Sequence, residues 1–253
     1  MISNSRHQKI FDIIQKEHSV STKELVSVLY ASEATIRRDL SYMEQKGLLK
    51  RVHGGAILIK SSTLEESSLV REQTLIKEKR RIAIKALEFI QNGNTIFIDP
   101  STTAAQIIPF LSQFKELSII TNGIHTSLML IKYTSFDITL TNGRVNYATS
   151  STTGSDTVDY IRQFNANVFL FSSAGISIKN GVTEVNLEQM RAKQAMMEKS
   201  ARHILLIDHT KFDKIFFSHS CNFSALDVVI TDKMPDENYV KAFEANGVEL
   251  IVA

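Results

Sequence analysis

Two adjacent arginines, Arg37 and Arg38, form the first group in the chain whose chemistry suggests a ligand. An arginine guanidinium can donate two parallel hydrogen bonds to guanine O6 and N7, and the hydroxyl of the nearby Thr35 suits a phosphate oxygen. An isolated Arg-Arg pair is more often a solvated helix face that pairs with carboxylates such as Glu33 or Asp39. The elements around the pair therefore decide between these two interpretations.

Apolar spacing predicts three short helices around this pair. The first runs from about Arg6 to His18, the second starts at Ser21 or Thr22, and the third runs from the N-cap Ser32 to about Gln45. Their inward faces carry apolar residues at helical spacing: Ile10, Phe11, Ile13 and Ile14; Leu25, Val28 and Leu29; Ile36, Leu40 and Met43. A tight turn separates the second helix from the third, as in a helix-turn-helix.

A basic hairpin follows the third helix. Gly47 stands at the expected left-handed C-cap, residues 48–53 predict a strand, Gly54-Gly55 a tight turn, and residues 56–59 a second strand. Three helices and a two-stranded wing make a winged helix-turn-helix, whose third helix enters the DNA major groove. We expect the following residues to contact DNA: Thr22, Ser32, Glu33, Ala34, Thr35, Arg37, Arg38, Lys50, Arg51 and His53.

Charge and composition agree with this division of the chain. Residues 1–60 hold ten Lys and Arg against six Asp and Glu, whereas the remainder holds nineteen against twenty-one. The single cysteine, Cys221, fits a reducing compartment, and neither an apolar leader nor a membrane span is apparent. We therefore expect a cytoplasmic protein with a small basic domain.

The remaining chain predicts an α/β domain. We expect a linker over residues 61–73 and a domain over 74–253 that opens with a helix at 74–90. Strands are predicted near 95–98, 118–120, 136–140, 168–171, 204–207, 228–230 and 248–252, and helices near 102–111, 125–132, 155–164, 187–200 and 236–246. Such alternation is typical of a mainly parallel sheet that helices cover on both faces.

Polar clusters follow several of these strands. In an open parallel sheet, ligands bind at the carboxyl ends of the strands, and helix N-termini bind anions. Lys211 can add a positive charge, and Asp99 or Asp208 can accept from hydroxyl groups. We expect a phosphate-binding effector site formed by Asp99, Ser101, Thr102, Thr103, Thr121, Asn122, Asn142, Gly143 and Lys211. Taken singly, each cluster also reads as a helix cap or turn.

The sequence resembles the DeoR family of bacterial repressors. The resemblance rests on residues 32–40, 47–49 and 51–56, and then on Asp99-Pro100-Ser101-Thr102-Thr103, Thr121-Asn122, Thr141-Asn142-Gly143 and Asp208-His209-Thr210-Lys211-Phe212. It implies an operator-binding regulator of sugar or nucleoside metabolism whose effector is a phosphorylated sugar or related metabolite. The implied sensor domain is similar in fold to ribose-5-phosphate isomerase and the coenzyme A transferases, and a homodimer or homotetramer is implied.

Four positions depart from the family pattern. Ser101 and Asn142 stand where the family usually has glycine, Gln189 replaces an acidic residue four positions before Lys193, and Ala31 replaces a common valine. The first two departures imply a narrower or different effector site. The third weakens any assignment of a charged role to that helix.

Two other functions remain compatible with the sequence. The first is a sugar-phosphate isomerase-like enzyme, in which Asp99, Asp208 or Glu188 would be the base. The second is a DNA-binding activator built from the same two domains. The histidines and Cys221 show no metal-ligand spacing, so neither a metal nor another cofactor is expected. We expect a non-catalytic protein that binds double-stranded operator DNA, and the resemblance alone favours a repressor over an activator.

Overall fold

The computed structural model describes residues 5–17, 19–45, 48–57 and 68–253. The chain divides into two compact units, Met1–Thr74 and Leu75–Ala253. Each unit has its own hydrophobic core.

The first unit is a winged helix-turn-helix. Its elements are α1 (Ser5–Glu17), β1 (Ser19–Ser21), α2 (Thr22–Leu29), α3 (Glu33–Gln45), β2 (Lys50–Val52), β3 (Gly55–Ile57) and α4 (Ser68–Gln73). All but one of the apolar residues predicted to face inward, among them Ile10, Leu25 and Ile36, belong to one core or pack against it. The exception is Val28, which was predicted to face inward but is 59% exposed on α2. The predicted helix-turn-helix is therefore confirmed. Gly47 and residues 58–67, which include parts of the predicted wing and linker, lie outside the described residues.

The wing contains one strand more than expected. β1 pairs with β3 and β3 pairs with β2, all antiparallel, so the sheet has three strands in the order β1-β3-β2. The turn lies at His53-Gly54, with Gly54 at φ +79°, and Gly55 belongs to β3. A Cβ at Gly55 would overlap the carbonyl oxygen of Val20 in β1. The three-residue β1 was missed because so short a run shows no alternation.

The predicted linker is partly helical. Residues 68–73 form α4, whose Val70 packs into the core of the first unit. The helix predicted over 74–90 begins later, as α5 (Ile76–Ala86), followed by a 3₁₀ turn at Leu87–Phe89. Leu75, at φ +52°, separates α4 from α5.

The second unit is built on a seven-stranded parallel sheet. Its strands are β4 (Thr95–Ile98), β5 (Ser118–Thr121), β6 (Asp137–Leu140), β9 (Val168–Phe171), β12 (His203–Leu206), β14 (Val228–Thr231) and β15 (Glu249–Val252), in the order β15-β14-β12-β9-β4-β5-β6. Every neighbouring pair is parallel. The prediction of a mainly parallel sheet is confirmed.

Helices cover both faces of this sheet, so alternate strand residues enter different cores. Phe97 faces the layer of α7 (Ser155–Ile161), α8 (Leu187–Glu198) and α9 (Glu237–Ala245). Ile96 and Ile98 face α5, α6 (Ile124–Tyr133) and a 3₁₀ helix at Ala104–Gln113. That 3₁₀ helix replaces the helix predicted over 102–111, and Pro109 within it lacks the amide hydrogen that a regular α-helix requires.

Five short strands escaped the sequence analysis. β7 (Arg144–Asn146) and β8 (Ser151–Thr153) form a hairpin, while β10 (Gly175–Ser177), β11 (Gly181–Glu184) and β13 (Ser218–Cys221) form a small antiparallel sheet. They are three or four residues long, and all except β7 contain Ser, Thr or Gly, so they lack the apolar pattern of a longer strand. Among the described residues, no helix is long and apolar enough to cross a membrane.

Candidate functional site

Polar side chains cap the starts of both α2 and α3. Ser21 and Glu24 form a reciprocal capping box at the start of α2, with Glu24 N donating to Ser21 Oγ at 3.1 Å. Tyr30 ends α2 in the left-handed conformation at φ 50°. Thr35 N donates to Ser32 Oγ at 3.2 Å, and the two hydroxyls lie 2.8 Å apart. These contacts set the direction in which α3 leaves the turn.

The outer face of α3 carries the predicted contact residues. Glu33, Ala34, Arg37 and Arg38 are exposed, and Ser32 is exposed beside them. Arg37 pairs with Glu33 at 2.7 Å, but both side chains are more than half exposed. Such a surface pair is weak enough for Arg37 to exchange it for a phosphate or a base.

The inner face of α3 is anchored to α1 by a buried carboxylate. Arg6 Nε donates to Asp39 Oδ2 at 2.5 Å, and His7 Nε2 lies 2.9 Å from Asp39 Oδ1. Burial by itself raises the pKa of Asp39, but the hydrogen bonds from Arg6 and His7 outweigh burial and hold the pKa below its usual 3.8. Asp39 is thus a structural residue, and its charge fixes the orientation of α3.

The wing residues divide into exposed and engaged side chains. Lys50 and His53 are exposed. Arg51 is exposed as well, but its Nη1 donates to Ser41 Oγ at 2.6 Å and its backbone N donates to Glu44 at 2.8 Å, which ties β2 to α3. Thr22 is only 7% exposed, so its side chain offers little surface to DNA.

A buried ion cluster occupies the carboxyl end of the central strands. Lys193 of α8 reaches Asp99, which follows β4, at 3.3 Å and also pairs with Glu184 of β11. Lys193 Nζ donates to the carbonyl oxygen of Ser172, which follows β9, at 2.5 Å. All three ionised side chains are almost fully buried. We call Asp99, Ser172, Glu184 and Lys193 the strand-end cluster.

The charges of this cluster stabilise one another. Burial by itself lowers the pKa of Lys193, but the carboxylates of Glu184 and Asp99 outweigh burial and raise the pKa above its usual 10.5. Lys193 therefore stays protonated. Its stabilising contribution is fully present below the ordinary lysine pKa and is lost as the pH rises through the higher folded value.

Ser101, Thr102 and Thr103 lie beside this cluster. Ser101 Oγ donates to Asp99 and accepts a bond of 3.2 Å from Ala104 N, so the serine caps the 3₁₀ helix. Thr102 and Thr103 are buried. Lys79 of α5, itself 5% exposed, donates to Thr102 Oγ1 at 3.1 Å and brings a second buried cation to this edge of the sheet.

Asn122 joins the end of β5 to the β7-β8 hairpin. Its Nδ2 donates to the carbonyl oxygen of Thr152 at 3.0 Å, and its Oδ1 is buried with no hydrogen-bond partner among the described residues. Gln189 of α8 ties down the same hairpin by donating to Thr149 at 2.9 Å and to Ser151 at 2.6 Å. The hairpin therefore contacts both β5 and α8.

The other predicted effector residues lie at or after the ends of β5, β6 and β12. Thr121 is buried, and its hydroxyl accepts from Gly123 N at 2.9 Å. Asn142 is exposed, and at Gly143 (φ +128°) a Cβ would overlap Thr157 Oγ1, so this glycine is needed for packing. Lys211 follows β12, and β9 lies between β12 and β4.

The three carboxylates considered as catalytic bases all have partners. Asp99 accepts from Ser101 and contacts Lys193, Asp208 accepts from Thr210 N at 3.0 Å, and Glu188 pairs with Arg191 at 3.3 Å on the surface. Within the described part of the chain, no three His, Cys, Asp or Glu side chains cluster as a metal site would require.

Sequence analysis missed Lys79, Glu184 and Lys193. Lys193 lies on the buried face of α8 with Gln189, Ala192 and Met196, at helical spacing. Lys79 occupies the corresponding place on α5, with Ile82, Ala83 and Ala86. A lysine within an apolar helical stripe indicates a buried charge with a partner, and that signal was available. Gln189 had weakened the expectation of a charged role for α8, but Lys193 on the same buried face carries a charge that pairs with Asp99 and Glu184.

Two family models match the chain. One is described as the DeoR-like helix-turn-helix domain and matches residues 6–62, and the other is described as the DeoR C terminal sensor domain and matches residues 74–233. The chain belongs to the DeoR family. This DeoR-family protein is therefore a DNA-binding transcriptional regulator with a C-terminal sensor domain, as the resemblance implied.

Curated relatives align over the whole chain. The glycerol-3-phosphate regulon repressor of Escherichia coli (strain K12) is 32% identical over 250 residues, 99% of each chain. The HTH-type transcriptional regulator GolR of Listeria innocua is 29% identical over 253 residues, 100% of each chain. The HTH-type transcriptional repressor GlcR of Bacillus subtilis is 27% identical over 252 residues, 100% of this chain and 97% of that protein. The similarity to these regulators thus extends over both units of the chain.

Among solved structures, ribose 5-phosphate isomerase from Plasmodium falciparum is similar at 16% identity. The match covers 53% of this chain and 52% of that chain, with a TM-score of 0.40. A likeness at this level carries no argument about the activity of the DeoR-family protein. Its two-domain fold class rests on the sheet topology and on the family models.

The Asp39 anchor predicts a pH-dependent loss of stability. Asp39→Asn should lower the free energy of unfolding at pH 7 by about 1.5–3 kcal/mol, because charge-assisted bonds from Arg6 and His7 are lost. Since the folded pKa of Asp39 is lowered, the difference from wild type should persist above pH 3.8 and vanish as the pH falls through the folded value. Denaturant titrations of both proteins measure it, with the exposed Asp12→Asn as control. Equal stability of Asp39→Asn and this control at pH 7 would refute the anchor.

The strand-end cluster predicts a larger loss. Lys193→Met should destabilise the second unit by about 3–5 kcal/mol, because Asp99 and Glu184 are left buried without their cation. Adding Glu184→Gln should recover part of the loss. Denaturant unfolding of both variants, with the exposed Lys241→Met as control, is the measurement. A change for Lys193→Met no larger than that of the control would show that the cluster does not stabilise the sheet edge.

Proposed function

We propose that this DeoR-family protein is a repressor of sugar-metabolism genes whose DNA affinity is set by a phosphorylated sugar or related metabolite. The observation that carries the proposal is the set of buried polar and charged side chains at the carboxyl edge of the parallel sheet. Two of the relatives above are repressors, and one of these is the repressor of a glycerol-3-phosphate regulon. We also propose that the protein acts in the cytoplasm, beside the DNA it controls.

In the proposed complex, α3 and the wing contact DNA. Arg37 and Arg38 are exposed on the outer face of α3, and Asp39 on the inner face holds the helix in place. We assign base or phosphate contacts to Ser32, Glu33, Ala34, Thr35, Arg37, Arg38, Lys50 and His53. Arg51 is assigned to hold the wing and to contact phosphate in addition. Because the side chain of Thr22 is buried, we propose that Thr22 contacts DNA only through its backbone at the start of α2.

The proposed effector site lies at the carboxyl ends of the parallel strands. Ligands of open parallel sheets bind there, and the DeoR-family protein brings two buried lysines, Lys79 and Lys193, to this edge. We propose that the phosphate lies near Thr102 and Thr103 and that the hydroxyl groups lie near Asp99 and Asn122. Ser101, Thr121, Asn142, Gly143 and Lys211 complete the proposed site. Lys211 follows β12, so it is proposed to reach the far end of the ligand.

Asn122 Oδ1 supports the presence of a ligand or water at this edge. A buried acceptor without a partner costs about 1–3 kcal/mol. An effector hydroxyl that donates to Asn122 would recover this energy on binding. The binding energy can then favour one arrangement of the hairpin that Asn122 contacts.

The side chains favour a sensor domain that binds its effector without converting it chemically. Asp99, Asp208 and Glu188 are each engaged by a neighbouring donor or cation. A general base must be available to accept a proton from the substrate. The sensor therefore needs only a difference in effector affinity between two conformations. A coupling of about 1–3 kcal/mol changes DNA affinity about 5–150-fold.

The assignment of α3 to DNA predicts a salt-dependent loss of affinity. Arg37→Ala and Arg38→Ala should each weaken binding by about 1–3 kcal/mol if the guanidinium contacts a base. If it contacts phosphate, the slope of log K against log salt should fall by about one. Fluorescence anisotropy with a genomic duplex selected by the wild-type protein measures both, with Arg162→Ala as control. Unchanged affinity and slope for both variants would place these arginines away from DNA.

The effector assignment predicts a specific loss of ligand response. A thermal-shift screen with glycerol 3-phosphate, fructose 1-phosphate and glucose 6-phosphate should identify at least one stabilising compound. For that compound, Lys211→Ala should lower the affinity measured by titration calorimetry, while Lys241→Ala should not. An equal affinity for wild type and Lys211→Ala would remove Lys211 from the site. No stabilisation by any phosphorylated sugar would contradict the proposed effector class.

A further inference from the structure

The residue that ends α2 combines an uncommon backbone conformation with almost complete exposure. Tyr30 lies in the left-handed region at φ 50° and ψ 42°, and it is 95% exposed. This region is natural for glycine and tolerated by asparagine, but it is an outlier for a bulky aromatic residue. Helices commonly end in the left-handed conformation, so the turn explains the backbone angles of Tyr30 but not the choice of tyrosine.

The packing of the first unit gives no reason for a tyrosine at this position. A tyrosine contributes to folding mainly by burying its ring, and the ring of Tyr30 is almost fully exposed. Among the described residues, its hydroxyl has no hydrogen-bond partner. Glycine or asparagine would adopt the same turn with less strain. The phenol of Tyr30 is therefore available to a partner molecule.

Two other hydrogen-bond donors lie on the same side of α2. Lys23, Ser27 and Tyr30 recur at i, i+4 and i+7, and all three are exposed. Within the part of the chain that the structure describes, none of the three forms an ion pair or a side-chain hydrogen bond. Glu24 and Val28 lie about 100° farther around the helix, so the carboxylate of α2 is on another face. We call Lys23, Ser27 and Tyr30 the donor row.

An ammonium and two hydroxyl groups in a row suit the oxygens of a DNA backbone. Lys, Ser and Tyr side chains all donate to phosphate oxygens in protein–DNA complexes. In a helix-turn-helix, the helix that precedes the recognition helix crosses the DNA backbone. Only Ala31 separates Tyr30 from Ser32, the N-cap of α3, so at most about 7 Å of chain lies between Tyr30 and Ser32. An α3 that enters the major groove can therefore bring the donor row to the phosphates that border the groove.

We propose that Tyr30 donates its phenol hydroxyl to a DNA phosphate, while Lys23 and Ser27 bind neighbouring phosphates. The inference rests on the proposed function in one respect, since the start of α3 must lie in the groove. Tyr30 then lowers the stability of the free protein through its strained backbone and raises the affinity for DNA. Because a phosphate contact reads no base, this gain in affinity is the same for every DNA sequence.

The test compares two duplexes, one selected from the genome by the wild-type protein and one with the same bases in scrambled order. Tyr30→Phe keeps the ring and the strained backbone but removes the hydroxyl. It should weaken the binding of both duplexes by the same factor of about 2–12, the effect of one hydrogen bond. The salt dependence should not change, because a hydroxyl adds no charge. Lys23→Ala should instead reduce the slope of log K against log salt by about 0.9.

Fluorescence anisotropy of the full-length variants measures affinity and slope. Tyr147→Phe, at a position 75% exposed in the second unit, is the control and should keep the wild-type affinity for both duplexes. Tyr30→Gly separates binding from folding, because glycine fits the left-handed turn. In scanning calorimetry it should raise the melting temperature of the first unit by about 2–6 °C, while it weakens DNA binding at least as much as Tyr30→Phe.

Three results would overturn the contact. They are a wild-type affinity for Tyr30→Phe, a loss confined to the selected duplex, and a melting temperature of Tyr30→Gly below that of the wild type. The last result would show that the side chain supports the fold. If Arg37→Ala weakens DNA binding while Tyr30→Phe does not, the Tyr30 contact is wrong and the proposed function stands. A wild-type protein that binds neither duplex would contradict both.

Discussion

The sensor unit depends on one constraint, which is that a buried lysine ammonium must be neutralised by carboxylates. Lys193 meets this constraint by contacting Asp99 and Glu184, which come from separate strands, while it also donates to the carbonyl oxygen of Ser172. A single α8 side chain thereby holds the ends of β4, β9 and β11 together. Removing a partner from such a buried group is costly, so the arrangement fixes the sheet edge where ligands of parallel sheets bind.

The DNA-binding unit also depends on a buried charged group with partners, in this case a carboxylate. Asp39 faces inward and is bound by Arg6 and His7, whereas Arg37 and Arg38 of the same helix face outward. One turn of α3 thus contains a residue that fixes the helix and residues free to exchange partners. The proposed effector control requires only that effector binding favour one of two arrangements of such helices.

Sequence alone predicted the elements that have long apolar patterns or clear capping residues at their ends. The caps at Ser21 and Ser32, the apolar face of α3 and the parallel strands were all found where expected. The short strands β1, β8 and β11 were missed because pairing with distant segments, rather than local preference, determines them. Lys193 was missed because a helical lysine is usually solvent-exposed, and its partners Asp99 and Glu184 are brought to it only by the tertiary fold.

The central claim is that a phosphorylated sugar bound at the strand ends changes the affinity of α3 for DNA. Its most direct test is a titration of a genome-selected duplex with the wild-type protein, by fluorescence anisotropy at one salt concentration, with and without each sugar phosphate at saturation. We expect one compound to shift the dissociation constant about 5–150-fold, the span of ordinary allosteric coupling. A dissociation constant that none of the compounds changes, for a protein that binds both the duplex and a sugar phosphate, would contradict the account.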